Sequence, residues 1–239
     1  MLLTQKALGV SGTGFTFDVA LHLGTLIALL IFFNRDLALL IRAIFVKSKQ
    51  TKLAWLLIFA TIPAAVIGYL LENAAESRFR SSTLVSINLA AFAVIMLLAE
   101  RYAKRYKNPR KLEGVTRKEA MVMGFAQAAA IVPGVSRSGA TITAGLFSGL
   151  DRVAATRFSF LLGIPITAGA VLKVLVKDSA FSQIHDEAGI FITGVLAAFI
   201  TGMFAIKFML SYLAKHSLAI FAYYRMGLAA LVLVVLVLR

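Results

Sequence analysis

The 239-residue chain contains no cysteine, so neither a disulfide framework nor a thiolate metal site or nucleophile is available to it. Charge is scarce as well: 15% of residues are charged and 60% hydrophobic, with a mean hydropathy of +0.87. That balance lies far outside soluble globular usage. Acidic residues are the scarcest charged class, 11 against 25 basic, for a net charge of +14. An excess of that size suits nucleic acid, but the basic residues are confined to short loops between apolar runs. Topology determinants of membrane proteins have that placement, and no nucleic-acid partner is expected. No cleavable signal peptide is recognisable, because the first 15 residues are too polar and glycine-rich.

What the chain has in abundance is long apolar stretches. Membrane spans are expected at 16–33, 53–71, 82–99, 153–176, 188–209 and 218–238. Pro63 and Pro165 fall inside two of them, tolerable where neighbouring helices satisfy the freed carbonyl, and Trp55 suits an interfacial anchor. Segment 34–52 is basic, with Arg35, Arg42, Lys47, Lys49 and Lys52 against Asp36. Its middle, 37–46, suits an amphipathic helix lying along the interface. Residues 72–81 read as a short loop, where Glu72 and Glu76 fit a solvated helix end better than a cation site. Segment 100–118 carries eight basic residues, and 177–187 is a mixed acidic loop.

The remaining stretch, 119–150, is too long for one span and is broken near its middle by Pro133 and Gly134. Two half-length helices meeting at a loop form a re-entrant hairpin with its tip at membrane depth. The expected fold is therefore all-α: a polytopic integral membrane protein with about six transmembrane helices plus a re-entrant helical hairpin, in one membrane domain over 1–239.

Loop charge gives the orientation. With 34–52, 100–118, 151–157 and 207–216 on the cytoplasmic side, that side holds most of the Lys and Arg. The alternation works only if 119–150 returns to the face it left, which supports the hairpin independently. The second half, 119–239, is then a hairpin plus three spans, and the first half, 1–100, is three spans. Three crossings per unit turn the next unit upside down, the inverted-repeat plan that places binding sites near the midplane. On that plan an inverted partner hairpin is expected ahead of Met1.

The chemistry concentrates in Pro133-Gly134-Val135-Ser136-Arg137-Ser138-Gly139-Ala140-Thr141. An arginine at membrane depth costs ~3 kcal/mol on insertion scales and marks a functional site by default. Pro133, Gly134 and Gly139 break a continuous helix, and a helix starting near Gly139 points its N–H groups back at Ser136, Arg137, Ser138 and Thr141. Free N–H groups, three hydroxyls and a guanidinium make an anion site best suited to phosphate. The bland reading is a kinked helix with a snorkelling arginine, but the long apolar flanks leave no interface within reach.

Other candidates carry open alternatives. Asp18, His22 and Thr25 share one helical face, which either lines the active cavity or pairs with itself between helices. Of the three histidines only His22 falls within a span; His185 and His216 lie in or beside loops. Gln127 either orients a water or bonds across helices. Arg225, after Tyr223 and Tyr224, suits phosphate contact or interfacial anchoring, with the balance slightly towards anchoring.

Two stretches resemble a known family, the undecaprenyl-diphosphate phosphatases linked to bacitracin resistance. Gly124-Phe125-Ala126-Gln127 leading into the 133–141 cluster is similar to that family's second signature. Phe17-Asp18-Val19-Ala20-Leu21-His22-Leu23-Gly24-Thr25-Leu26 resembles its early span. Phe158 to Leu162 with Pro165, and Tyr224-Arg225, fit further along. The resemblance implies a multi-pass enzyme of the bacterial inner membrane that removes the terminal phosphate of undecaprenyl diphosphate, recycling the carrier lipid for peptidoglycan synthesis. It implies dependence on a divalent cation, Mg²⁺ or Ca²⁺, with metal ligands unassigned, and a link to bacitracin through the shared lipid. A homodimer is compatible with it and not required.

The family's first signature, a glutamate pair followed by Pro, Ser, Thr, Gly and His, is expected ahead of Met1, where the partner hairpin also belongs. The chain is thus expected to be a fragment or an inactive form. On the implied mechanism Arg137 pairs diphosphate oxygens, and Ser136 or a water attacks. Ser138 and Thr141 donate hydrogen bonds, while Gly134, Gly139, Gln127, His22 and Arg225 contact substrate. No base lies near Ser136 in sequence, which leaves His22 as a substitute. The competing class is a membrane carrier or lipid flippase that binds a phosphate-bearing substrate without hydrolysing it.

Overall fold

A computed structural model describes residues 15–77, 81–176 and 188–238. The 1–14 and 177–187 segments fall outside the described residues, as do the side chains of Asp18 and of residues 72–80. Nine α-helices make up the described chain: α1 Phe15–Phe32, α2 Asn34–Phe45, α3 Thr51–Ser77, α4 Ser82–Ala103, α5 Arg117–Ala129, α6 Arg137–Phe147, α7 Arg152–Leu175, α8 Ala188–Leu213 and α9 Ala219–Val237. The described residues form no strand. Five of these helices, α3, α4, α7, α8 and α9, are long and apolar enough to cross a membrane, and α1 with α2 supplies a sixth candidate. This is an all-α, multi-span membrane protein.

The expected spans match these helices to within a residue at most ends, with two larger corrections. The helix over 53–71 continues to Ser77, so the first part of the expected 72–81 loop is helical. Nothing in 72–77 breaks a helix: the run holds no proline or glycine. The second correction concerns Gly139, which does not break the chain. The break is 130–136, and α6 already begins at Arg137.

The bend of 79° between α1 and α2 lays the amphipathic helix across the end of the span. Buried Phe33 forms the corner, with Leu40 and Ala43 turned inward from α2. α1 packs on α7 and α8, α4 on α9, α3 on α5, and the hairpin α5–α6 sits between α3, α4 and α7.

The hairpin's two ends lie on one face, which is what makes it re-entrant. Arg110 Nη2 donates both to Glu119, in the first turn of α5, and to the Ser148 carbonyl just beyond α6, the latter at 2.9 Å. Backbone bonds Arg110 N–Gly149 O and Asp151 N–Arg110 O, both 2.9 Å, tie the same loop to the hairpin's far end. Two further contacts gather the basic loops on that face. Arg157 pairs with Asp36 at 2.9 Å, and buried Glu100 accepts from Arg152 at 2.7 Å and from the Leu218 N–H at 2.6 Å. Three of the loops assigned to one side by their charge, 34–52, 100–118 and 151–157, are therefore in mutual contact.

Candidate active site at the hairpin tip

Local sequence shapes the tip. Helix α5 begins with a capping box in which Thr116 and Glu119 satisfy each other's backbone N–H groups. It ends at Ala129, and the chain turns through 130–136. Gly134 has φ +95°, and a Cβ there would lie 2.6 Å from the Val85 carbonyl oxygen, so both the backbone and the space require glycine. Ser136 has φ +68°, the only positive φ at a non-glycine residue described. It also caps α6, its Oγ accepting from Gly139 N at 3.3 Å. Backbone strain of this kind is tolerated where surrounding structure holds it, and it clusters at functional sites.

The tip is held by three helices. Asn88 Nδ2, from α4, donates to the Pro133 carbonyl at 3.0 Å. Arg225 Nη2, from α9, donates to the Gly134 carbonyl, and its Cζ lies 5.5 Å from the Phe92 ring centre. Arg137 Nη1 donates to Thr167 Oγ1 and, at 3.4 Å, to the Gly163 carbonyl, both on α7. The Thr167 hydroxyl donates its own hydrogen bond to the Gly163 carbonyl at 2.7 Å, leaving its lone pairs for the guanidinium. The guanidinium lies directly against Gly163, where a Cβ would come within 3.3 Å of Arg137 Cζ.

These contacts leave donors unspent. Arg137 Nε and Nη2 make no hydrogen bond among the described residues, and neither is sealed in as a buried unpaired atom. That edge is the one a guanidinium offers to two oxygens of a phosphate. The N–H groups of Ser136, Arg137 and Ser138 likewise lack a described partner, as expected at the first turn of a helix. Ser136 is exposed, and Arg137 and Ser138 are half-buried. The tip can thus receive a phosphate on a guanidinium fork, a helix N-terminus and two hydroxyls.

Several site expectations change on folding. Thr141 does not converge on the tip. It is buried, bonds back to the Arg137 and Ser138 carbonyls, and meets Ser159 Oγ at 2.5 Å between α6 and α7. One turn into a helix, a threonine hydroxyl reaches back to the carbonyls of the preceding turn, and this one is spent there and on Ser159 rather than at the tip. Arg225 is no interfacial anchor, being 9% exposed and committed to the tip, with its Nε buried and unpaired. Gln127 bonds nothing across the helices, since both its amide atoms are buried without a partner among the described residues. His22 lies exposed on α1, where Thr25 Oγ1 donates to its carbonyl at 2.9 Å, while the tip's described partners come from α4, α7 and α9. Sequence reasoning missed Asn88 and Thr167. Both are polar residues well inside apolar spans, and that was the signal that could have found them.

A divalent cation does not fit the described residues of the tip. Among them no three His, Asp or Glu side chains cluster, and the fixed charges there are the guanidinium groups of Arg137 and Arg225.

A family profile described as "Bacitracin resistance protein BacA" matches residues 1–231. A protein of Rubrobacter xylanophilus named undecaprenyl-diphosphatase is 45% identical over 249 residues, covering 100% of this chain and 90% of the relative. Proteins with the same name from Moorella thermoacetica (44%) and Thermodesulfovibrio yellowstonii (41%) cover 95% and 97% of this chain, and 85% and 86% of their own lengths.

Proposed function

The chain belongs to the BacA family of bacitracin resistance proteins, and from that premise we infer that it is an undecaprenyl-diphosphate phosphatase. It hydrolyses undecaprenyl diphosphate to undecaprenyl phosphate and inorganic phosphate within the membrane. Its place is the inner membrane of a bacterium, where the reaction returns the carrier lipid to peptidoglycan synthesis. Bacitracin enters only through that shared lipid, and since the groups named here all come from one chain, the reading needs no second copy.

The observation that supports the reading best is the free edge of Arg137 beside the open first turn of α6. Phosphoryl transfer asks little covalent chemistry of the protein and mostly requires positioning and charge stabilisation. Arg137 Nε and Nη2 take two oxygens of the diphosphate. The Ser136, Arg137 and Ser138 N–H groups and the Ser138 hydroxyl take others. Gly134 and Gly139 keep the backbone close enough to do so. Gln127 holds a water behind the tip, and Arg225 keeps the Gly134 carbonyl turned away from the anion. Thr141 acts by fixing α6 against Ser159 rather than by touching substrate.

Ser136 Oγ accepts from Gly139 N, and its described hydrogen bonds include no carboxylate or imidazole that could take its proton. That favours water as the attacking group, with Ser136 Oγ holding it in line. The water oxygen bonds to the terminal phosphorus, and the bond from that phosphorus to the bridging oxygen breaks. Undecaprenyl phosphate leaves with the electron pair, and the water protons end on the released phosphate. As negative charge grows on the leaving oxygen, Arg137 and the helix N-terminus stabilise it more than in the ground state. A family-type Mg²⁺ or Ca²⁺ would find no carboxylate or imidazole cluster among the described residues of the tip, whose fixed charges are Arg137 and Arg225.

Phosphate release from a long-chain isoprenyl diphosphate by the full chain in detergent tests the reading, with Ser136→Ala beside it. Release by the parent chain, and slower release without a trapped phosphoserine in either, is the expected result. Tight binding with no release at any protein concentration overturns it.

A further inference from the structure

On the lipid-facing side of the hairpin, α3 and α5 enclose a groove of about 640 Å³ that the reaction does not use. Cavities of about 300–1,000 Å³ suit ligands of moderate size. Its lining is apolar, from Leu56, Phe59, Ile62 and Val66 on α3 to Met121 and Phe125 on α5, with one charge, Arg117. Phe59, Ile62, Val66 and Phe125 are each at least half exposed. The floor is rigid, because Gly124 lies so close to α3 that a Cβ would sit 2.3 Å from the Ala60 carbonyl oxygen. Arg117 is exposed and has no described ion pair, while the neighbouring Glu119 is taken by Arg110 and Thr116. Both walls rise from the chain's two most basic loops, 34–52 and 100–118.

We propose that this groove binds one anionic phospholipid of the leaflet on the basic side, its phosphate on Arg117 and an acyl chain along Phe59, Ile62, Val66 and Phe125. Two features select this occupant. The apolar length asks for a hydrocarbon chain, and the Arg117 guanidinium, without an ion pair among the described residues at the end near the basic loops, asks for an anionic head at headgroup level. Clusters of Lys and Arg just outside a membrane helix attract anionic lipid in this way. A substrate chain would bring its diphosphate to the other end of α5, at the tip, and would leave Arg117 without an anion.

The protein carries its own probe. Trp55, its one tryptophan, stacks on Phe59 with ring centres 5.9 Å apart and planes at 30°. Quenching of its fluorescence by lipids brominated on the acyl chain therefore reports groove occupancy, independently of catalysis. The experiment places the full chain in phosphatidylcholine vesicles containing increasing brominated phosphatidylglycerol, against a series with brominated phosphatidylcholine. Saturable quenching with about fivefold preference for the anionic lipid is expected, the factor that corresponds to ~1 kcal/mol for one cation at an anionic surface. Arg117→Gln should abolish the preference. Arg117→Lys should keep most of it, and Lys118→Gln, which removes the same charge from a neighbouring exposed residue, should leave it unchanged. Equal quenching by both lipids overturns the proposal. So does an equal loss of preference in Lys118→Gln, which would indicate diffuse attraction. Displacement of the brominated lipid by isoprenyl diphosphate would assign the groove to the substrate's chain and overturn it too.

Discussion

Replacing Arg137 by lysine separates charge from geometry at the tip. The arginine does two things at once: Nη1 is held by Thr167 and the Gly163 carbonyl, and the Nε–Nη2 edge is left for two phosphate oxygens. A lysine keeps the positive charge but has one nitrogen, which cannot hold α7 and also span two oxygens. A hydrogen bond to a charged group contributes about 1.5–3 kcal/mol. Losing one in the transition state lowers kcat/KM by about 10- to 150-fold at 1.36 kcal/mol per decade. The defect should fall on kcat as well as KM, because the leaving oxygen gains charge as the bond breaks. Initial rates of phosphate release over a range of isoprenyl diphosphate concentrations measure both constants, with elution profile and helicity confirming the fold. A variant with the parent's kcat and KM would refute the fork, since charge alone would then suffice.

Thr167→Val preserves shape while removing the acceptor that holds Nη1, so kcat/KM should fall about tenfold and Thr167→Ser should restore it; steady-state kinetics of the two variants decides the point. The absence of native cysteine allows single labels: a cysteine at Ser138 should react with a membrane-impermeant thiol reagent faster than one at Leu233, and equal protection would contradict an open tip. At the base of the hairpin, outside the spans, burial raises the Glu119 pKa, but hydrogen bonds from Thr116 and the charge of Arg110 outweigh it and hold the carboxyl below its ordinary value. A depressed native pKa stabilises above the ordinary carboxylate range and is lost as pH falls through the native value. Melting temperature in detergent should therefore drop on acidification, and Glu119→Gln should be less stable near neutral pH with a flatter acid limb.

Much of the architecture was legible in the sequence because membrane spans are written in composition. A bilayer core offers backbone groups no partner but each other, so a long apolar run has little choice but a helix. The hairpin was legible for a different reason: Pro133 and Gly134 interrupt an apolar stretch, and loop charge balances only if the chain turns back. The role of Arg225 was not legible. Its neighbours Tyr223 and Tyr224 carry the signature of an interface, and only the packing of α9 on α4 brings its guanidinium to the Gly134 carbonyl. Gln127 shows the same limit from the other side, since a glutamine one turn from the tip cannot reveal in sequence that both its amide atoms end up unpaired.

By itself, then, the sequence determined the class of the protein, its spans and the place where anion chemistry is concentrated. These follow from local properties: the hydropathy of a run, the charge of a loop, the backbone limits of glycine and proline. Tertiary structure alone decided which of the concentrated groups act together. It turned Thr141 into the α6–α7 contact, and it set Asn88, Thr167 and Arg225 from three distant helices around the turn. It also left one edge of Arg137 without a hydrogen bond to any described residue. A side chain's direction around a helix can be counted from the sequence, but its partner depends on which helix packs there, and that is fixed only when the whole bundle closes.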